Sequence, residues 1–420
     1  MGSMDESIKK RLVITGIGVV APNGIGKEHF WDNGFAGISG IKPITLFDAS
    51  RYRCRYAGEI SDFQPEQYLG SKGLRTLDRT TLLALVAAKL AIDDAKLEIT
   101  DETRNDIGVV LGSTMGSVHS ISEFDRVGLQ EGPRYVNPAH FPNAVINSPA
   151  SQVAIRFGLR GLNSTISTGF TASLDAIGYA MDMLTLGRVK TLLVGGVEEL
   201  CLETFLGFYK LGFLATSQDG RLPSYGPFDP NRCGALLGEG SVFIVLELLE
   251  DAQARSATMY AELSGYGTGF HPASLYRCDP QAQGAIAAVH RALDEAGVMP
   301  ENIDYISACA NSTKLGDAME LTAIHAVFGS HAATRPLVAV KSLLGESFSA
   351  SAAFQLAETV GSLVRQHVPL SSMTWPQAED PLPSSVATLT QQHIETALIE
   401  SFGPTGVSSA LVIKSVHRMN

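Results

Sequence analysis

Thr165-Ile166-Ser167-Thr168-Gly169-Phe170-Thr171-Ala172-Ser173-Leu174 reads as a short strand, a glycine turn and the opening of a helix. The β-rich run Thr165–Ser167 gives way at Ala172 to a stretch through Leu186 whose apolar face holds Leu174, Ile177, Met181 and Leu184, with Gly187 as the stop. That return every three or four positions is the helical period. A side chain on a strand-to-helix turn faces the positive end of the helix dipole, where a thiol ionises easily and a nucleophilic cysteine is favoured. Here the turn carries Phe170, which has no proton to give and no lone pair to attack with. Spacing alone makes Phe170 ordinary core.

The same alternation extends outward along the chain and predicts an α/β protein. Strands are expected at Arg11–Thr15, Ile107–Leu111, Thr191–Val194, Val242–Glu247, Tyr305–Ala308, Leu337–Val340 and Ser408–Lys414. Helices are expected at Thr80–Asp94, Ala285–Ala296 and Gly316–Val327, beside the one at Ala172–Leu186. The polar, alanine-rich stretch Leu248–Ala257 reads as a crossing between two halves. Val13-Ile14-Thr15-Gly16-Ile17-Gly18 and Glu262-Leu263-Ser264-Gly265-Tyr266-Gly267 each pair a strand with Gly-x-Gly, a hint of internal duplication.

Bulk properties narrow the function. The 420 residues are 45% hydrophobic and 18% charged, enough for a large core, and the net charge is −11. A nucleic-acid or anionic-membrane binder would carry a basic footprint instead, so neither partner is expected. An acidic carrier protein would need a local Lys/Arg patch. Cys54, Cys201, Cys233, Cys278 and Cys309 are odd in number and show no CxxC pair. That argues against a zinc site or a disulfide framework and for a reduced, cytoplasmic protein. No apolar run approaches the ~20 residues of a membrane span. Residues 1–10 read as a leader or tag remnant, with Met1-Gly2-Ser3 ahead of a second methionine, Met4.

Two motifs fail on their context. Gly16-Ile17-Gly18-Val19-Val20-Ala21 matches a dinucleotide fingerprint, but Pro22-Asn23-Gly24 follows where a helix would have to open. No cofactor is expected, and the glycines are read as sites of close backbone packing. Gly112-Ser113-Thr114-Met115-Gly116 has the outline of a nucleophile elbow with Thr for Ser, and no base is paired to it. A glycine-rich turn is the better reading.

Several blocks resemble β-ketoacyl-acyl-carrier-protein synthases of the elongating type. They are Arg11–Gly18 with Ala21-Pro22-Asn23-Gly24, and Pro227-Phe228-Asp229 with Arg232 and Gly238-Glu239-Gly240. Asn311-Ser312-Thr313 with Gly316-Asp317 and Glu320, Lys341-Ser342 with Gly345, and Ser401-Phe402-Gly403 complete the set. The resemblance runs from Arg11 to Lys414 and implies a thiolase-like α-β-α-β-α fold of two similar halves, placed at 11–255 and 256–420. It implies no cofactor and no metal, and a site at which a cysteine, two histidines, a lysine and an acidic residue act together.

Carried over position by position, the resemblance puts Phe170 at the cysteine and Cys309 and Glu346 at the two histidines. Lys341 retains the lysine, Gln355 stands at the acidic residue, and Pro404 stands at the phenylalanine that gates the acyl pocket. A chain without the thiolate has no first step, and one without the histidines lacks donors for developing negative charge. Such a chain resembles the chain-length factors of type II polyketide systems, which pair with an active ketosynthase and shape the tunnel for the growing chain. Leu174-Asp175-Ala176 and Asp78-Arg79-Thr80 with Leu83–Ala88 are similar to that subfamily. Phenylalanine rather than glutamine at the cysteine position points toward partners used for aryl or other conjugated polyenes.

The resemblance also places tunnel-length side chains at Val118, Ile121 and Asp125, on the helix before Gly132-Pro133. It places the dimer contact at Ser164–Ser167 and Phe141–Asn147. The expected partners are an active ketosynthase and, through the complex, an acyl carrier protein. Two rivals stay open. One is a homodimeric condensing enzyme or thioesterase reusing Cys309 or Glu346. The other is a non-enzymatic protein that binds an acyl chain or carrier protein.

Overall fold

The computed structural model describes residues 10–272, 278–370, 384–385, 390–391 and 393–416; of the segment 1–10 expected as a leader or tag remnant, residues 1–9 lie outside them. A twelve-stranded mixed sheet runs through the molecule, and its two halves repeat one pattern. In the first, Leu12–Ala21 pairs antiparallel with Gly240–Leu248, which pairs antiparallel with Thr191–Glu198. Ile107–Gly112 and then Asn163–Ile166 follow in parallel. In the second, Ala261–Phe270 pairs antiparallel with Val407–Ser415, and that strand with Thr396–Phe402. Tyr305–Ser307 and Pro336–Val338 follow in parallel. Leu12, Val13 and Ile14 pair with Leu263, Glu262 and Ala261, which joins the halves edge to edge.

Strand alternation builds the layers. On Ile107–Gly112, Val109 and Leu111 face outward into a cluster with the helix Arg79–Asp94, while Val110 faces the central layer. In the second half, Leu398 and Val412 face the outer helices Gln283–Ala296 and Lys314–Phe328, while Ile399 and Ile413 face inward. The central layer between the two faces is made by the helices Ala172–Thr185 and Ser351–Arg365. The order is α-β-α-β-α. Strands covered on both faces need near-continuous apolar sequence, and all ten residues of Leu12–Ala21 are buried.

The paired Gly-x-Gly motifs have one steric cause. A Cβ at Gly16 would lie 2.5 Å from the Ala91 carbonyl oxygen, and one at Gly18 would lie 1.9 Å from that of Ala87. In the second half, a Cβ at Gly265 would lie 2.3 Å from the Ala292 oxygen, and one at Gly267 would lie 2.1 Å from that of Ala288. In both halves an outer helix lies directly on strand backbone. Pro22-Asn23 makes the expected turn, closing a short hairpin through Ala21 and Gly24.

The sequence expectations survive with shifted ends. The strand near Thr165 is Asn163–Ile166, the first strand runs to Ala21, and the helix expected at Gly316 starts at Lys314. The crossing near Leu248 is the helix Leu249–Ala254, which leads from Gly240–Leu248 to Ala261–Phe270. Ala261–Phe270 and Thr396–Phe402 were not foreseen as whole strands. Among the described residues, no helix is long and apolar enough to cross a membrane.

Gly18→Ala must collide with the Ala87 carbonyl, whereas Gly207→Ala, in the helix Leu202–Lys210, meets nothing within 4 Å. Thermal melts should show a large loss for the first, about 2 kcal/mol or more as for other forced overpacking. The second should be neutral or gain up to about 1 kcal/mol from helix propensity. Equal melting of the two variants would contradict the packing account.

Candidate functional site

The strand Asn163–Ile166 ends in a turn at Gly169, whose φ of 85° suits glycine, and Gly169–Thr171 form one 3-10 turn ahead of the helix Ala172–Thr185. Asp175 anchors this helix start, accepting from Thr171 Oγ1 at 2.8 Å and from Tyr266 Oη of the other half at 2.7 Å. Phe170 is 5% exposed. Its ring lies 5.1 Å from that of Phe348, 6.0 Å from Phe213 and 6.2 Å from Phe208. The mouth of the turn is a hydrocarbon surface.

Two further segments converge there. After the strand Tyr305–Ser307 the chain passes through Cys309 to Asn311, and the short helix Lys341–Leu344 leads through Gly345 to Glu346. The Lys341 ammonium donates to Glu346 Oε2 and to the Cys309 carbonyl oxygen, both at 2.8 Å. Glu346 Oε2 also accepts from Asn311 Nδ2 at 2.8 Å. Its Oε1 accepts from Phe348 N at 2.9 Å and Ser351 Oγ at 2.7 Å. Burial disfavours the Lys341 charge, but its neighbours, Glu346 foremost with Cys309 and Glu320, together more than offset this and raise its pKa. Both side chains are occupied by each other and by the frame. The ion pair foreseen as a filler of the site is present.

The Cys309 thiol is a poor nucleophile. Burial first, then the nearby Glu320 charge, pushes its pKa well above the ordinary thiol range, and a neutral thiol does not attack. Its backbone N–H donates to Glu320 Oε1 at 2.6 Å. Glu320 and Glu400 are buried together, and desolvation followed by mutual repulsion drives the Glu400 pKa far up. The two carboxyls share a proton rather than hold two charges. Gln355 lies one layer below. Its Nε2 donates to the Ser307 and Glu400 carbonyl oxygens at 3.0 and 2.9 Å, bracing the helix Ser351–Arg365 against two strand ends.

A cavity of about 510 Å³ opens beside these residues, with Cys309, Asn311, Thr313, Met319, Phe402 and Pro404 on its wall. Thr114, of the discounted elbow, donates its hydroxyl to the Gly169 carbonyl oxygen at 2.6 Å and is not set against a base. Phe170, Cys309, Lys341, Glu346 and Pro404 therefore surround one place, with Gln355 beneath it.

Val118, Ile121 and Asp125 lie apart from that centre, on the helix Val118–Gln130. Val118 and Ile121 are half-buried, whereas Asp125 is exposed in the single chain. Phe124 of this helix packs on Phe141, ring centroids 6.0 Å apart. Leu129, Tyr135, Phe141 and Ile155 are exposed, and Asn163–Ile166 is the end strand of the sheet path. Sequence reasoning missed Phe208, Phe213 and Phe348, which enclose Phe170, and the Glu400 partner of Glu320. The aromatic run Phe205, Phe208, Phe213 was the available signal.

Comparison with known proteins accords with this architecture. Residues 9–252 match the family "Beta-ketoacyl synthase, N-terminal domain", and residues 260–373 match "Beta-ketoacyl synthase, C-terminal domain". The chain is 34% identical over 410 residues to a protein of Coxiella burnetii named 3-oxoacyl-[acyl-carrier-protein] synthase 2, covering 97% of this chain and 99% of the relative. A Synechocystis protein of the same name is 33% identical, covering 97% and 98%. Among solved structures, the ishigamide ketosynthase/chain length factor superposes with a TM-score of 0.88 at 30% identity, covering 97% of this chain and all of that one. A type II polyketide synthase acyl-carrier protein in complex with its ketosynthase bound to the hexaketide (AntDE:AntF) gives the same TM-score at 28% identity, with the same coverage.

Glu346→Ala would leave the buried Lys341 ammonium unpaired and should cost about 3–5 kcal/mol in urea unfolding. Lys341→Met with Glu346→Leu should cost distinctly less than that single change. A single variant as stable as the unaltered chain would contradict the geometry. Two family domains in sequence and two fully covered relatives above 30% identity, on a thiolase-like five-layered fold, establish that the chain belongs to the β-ketoacyl synthase family.

Proposed function

We propose that this chain is the non-catalytic, chain-length-setting subunit of a heterodimeric β-ketoacyl synthase, with the halves 11–255 and 256–420 as its two ketosynthase-like units. The observation that carries the reading is the content of the centre. An aromatic ring, Phe170, occupies the turn at the helix start, where the resemblance implies a thiolate. A closed Lys341–Glu346 pair and a neutral Cys309 thiol occupy the places that would hold histidines. Neither Phe170 nor the closed Lys341–Glu346 pair can form an acyl thioester, and neither supplies the N–H donors of an imidazole.

The names of the curated relatives describe synthases, and one solved neighbour is a ketosynthase/chain length factor. Family membership is common to both roles, and the residues at the centre support the non-catalytic one. Reuse of Cys309 by a condensing enzyme or thioesterase is disfavoured by the burial that raises its pKa. The exposure of Leu129, Tyr135, Phe141 and Ile155, with Asn163–Ile166 at the end of the sheet path, supports a paired state over a lone acyl-binding protein. The partner in this reading is an active ketosynthase, which would receive acyl groups from a carrier protein. Val118 and Ile121, half-buried on the helix beside that surface, would face the growing chain, with Asp125 at its solvent end.

Native mass spectrometry of this chain co-expressed with an intact ketosynthase of the same source tests the reading. The expected result, after addition of acyl-carrier protein, is a one-to-one pair with the acyl adduct on the partner alone. Ile121→Phe should then shorten the product while leaving the partner's acylation unchanged. A homodimer of this chain that carries the adduct itself would overturn the proposal.

A further inference from the structure

Against the segment 309–311 two acids meet inside the protein. Glu320 stands on the helix Lys314–Phe328 and Glu400 on the strand Thr396–Phe402, and both are fully buried. Glu320 Oε1 accepts from the Cys309 N–H at 2.6 Å. The other three oxygens, Glu320 Oε2 and both of Glu400, meet no N–H or O–H donor among the described residues. Buried oxygens without a donor are costly, and two adjoining carboxyls cannot both carry charge. The donor they lack is a proton on one carboxyl, accepted by the other. That O–H···O bond ties the helix to the strand.

The surrounding charges do not take the place of that proton. Lys341 favours an ionised Glu320, but its ammonium is spent on Glu346 and the Cys309 carbonyl oxygen. Asp317, three residues earlier on the same helix, opposes it. The Cys309 thiol is neutral. From the helix Ser351–Arg365, Gln355 reaches only the Glu400 backbone carbonyl, and the Glu358 charge acts on Tyr305. Burial therefore dominates: it pushes Glu320 up to about 7, and with the Glu320 charge it drives Glu400 far above the ordinary carboxyl range.

We propose that the proton shared by Glu320 and Glu400 is a latch on the segment 309–311, and that opening this segment releases the proton, so that alkaline conditions loosen it. The sign follows from linkage. In an opened or unfolded chain both carboxyls ionise above their ordinary value of 4.5. In the closed chain at least one stays protonated through neutral pH. The latch is whole below 4.5 and weakens as pH rises, and each unit above 7 moves the balance about tenfold toward the open form. Asn311 of the same segment donates to Glu346, so the latch secures one wall of the centre. The inference is independent of whether the chain is catalytic or pairs with a ketosynthase.

Amide hydrogen exchange of the full chain, read by mass spectrometry on the peptide containing Cys309, tests the latch at pH 7, 8 and 9 beside Glu400→Gln. At any one pH the two chains share the same intrinsic exchange chemistry, so the ratio of their rates isolates the opening step. The glutamine amide can donate to Glu320 and has no proton to lose on opening. The unaltered chain should therefore exchange about tenfold faster, relative to the variant, for each added pH unit. Urea midpoints should diverge in the same sense, the variant's falling less between pH 7 and 9. Glu320→Gln keeps an oxygen for the Cys309 N–H and should behave as Glu400→Gln does, which guards against one variant failing to fold. An exchange ratio that stays constant from pH 7 to 9 in a cooperatively folded variant, or urea midpoints that fall in parallel, would overturn the proposal.

Discussion

A buried ammonium has to be neutralised, and the way Lys341 is neutralised organises the centre of this molecule. Its partner Glu346 spends both carboxylate oxygens on Lys341, Asn311, Phe348 and Ser351. Four segments are thereby tied together: the end of the strand Tyr305–Ser307, the short helix Lys341–Leu344, the turn at Phe348 and the start of the helix Ser351–Arg365. Phe348 is thereby fixed against Phe170, and an aromatic cluster grows where a reacting centre would need polar groups. Replacing one such partner is costly, whereas replacing both together is tolerated far better. That asymmetry favours keeping or losing such a buried pair as a unit.

The frame itself was legible in the sequence because its causes are local. Alternating strand and helix periods marked most elements, and the two Gly-x-Gly hexapeptides marked the places where outer helices touch strand backbone. The strand Ala261–Phe270 showed only as its opening hexapeptide, because Gly265, Gly267 and Gly269 break its apolar pattern. Thr396–Phe402 was hidden for another reason: Glu400 interrupts it, a carboxyl that lies buried in the strand close to Glu320. No pattern along the chain reveals a partner some eighty positions away.

The candidate site was legible in a different way. Periodicity made Phe170 ordinary core, and the packing bears that out; only the family resemblance placed it with Cys309, Lys341, Glu346 and Pro404. The structure brings these residues together, and it adds what neither spacing nor resemblance supplied, namely the rings of Phe208, Phe213 and Phe348 around Phe170. Asp125 illustrates the opposite limit: its helix is where the resemblance put it, but its side chain is exposed in the single chain.

The central claim is that this chain carries out no covalent step of its own. Intact-mass analysis of the purified chain after incubation with acyl- and malonyl-carrier protein tests it most directly. The account predicts an unchanged mass and no release of carbon dioxide from the malonyl group. A hydroxylamine-labile acyl adduct, mapped by peptide digestion to Cys309, would contradict it.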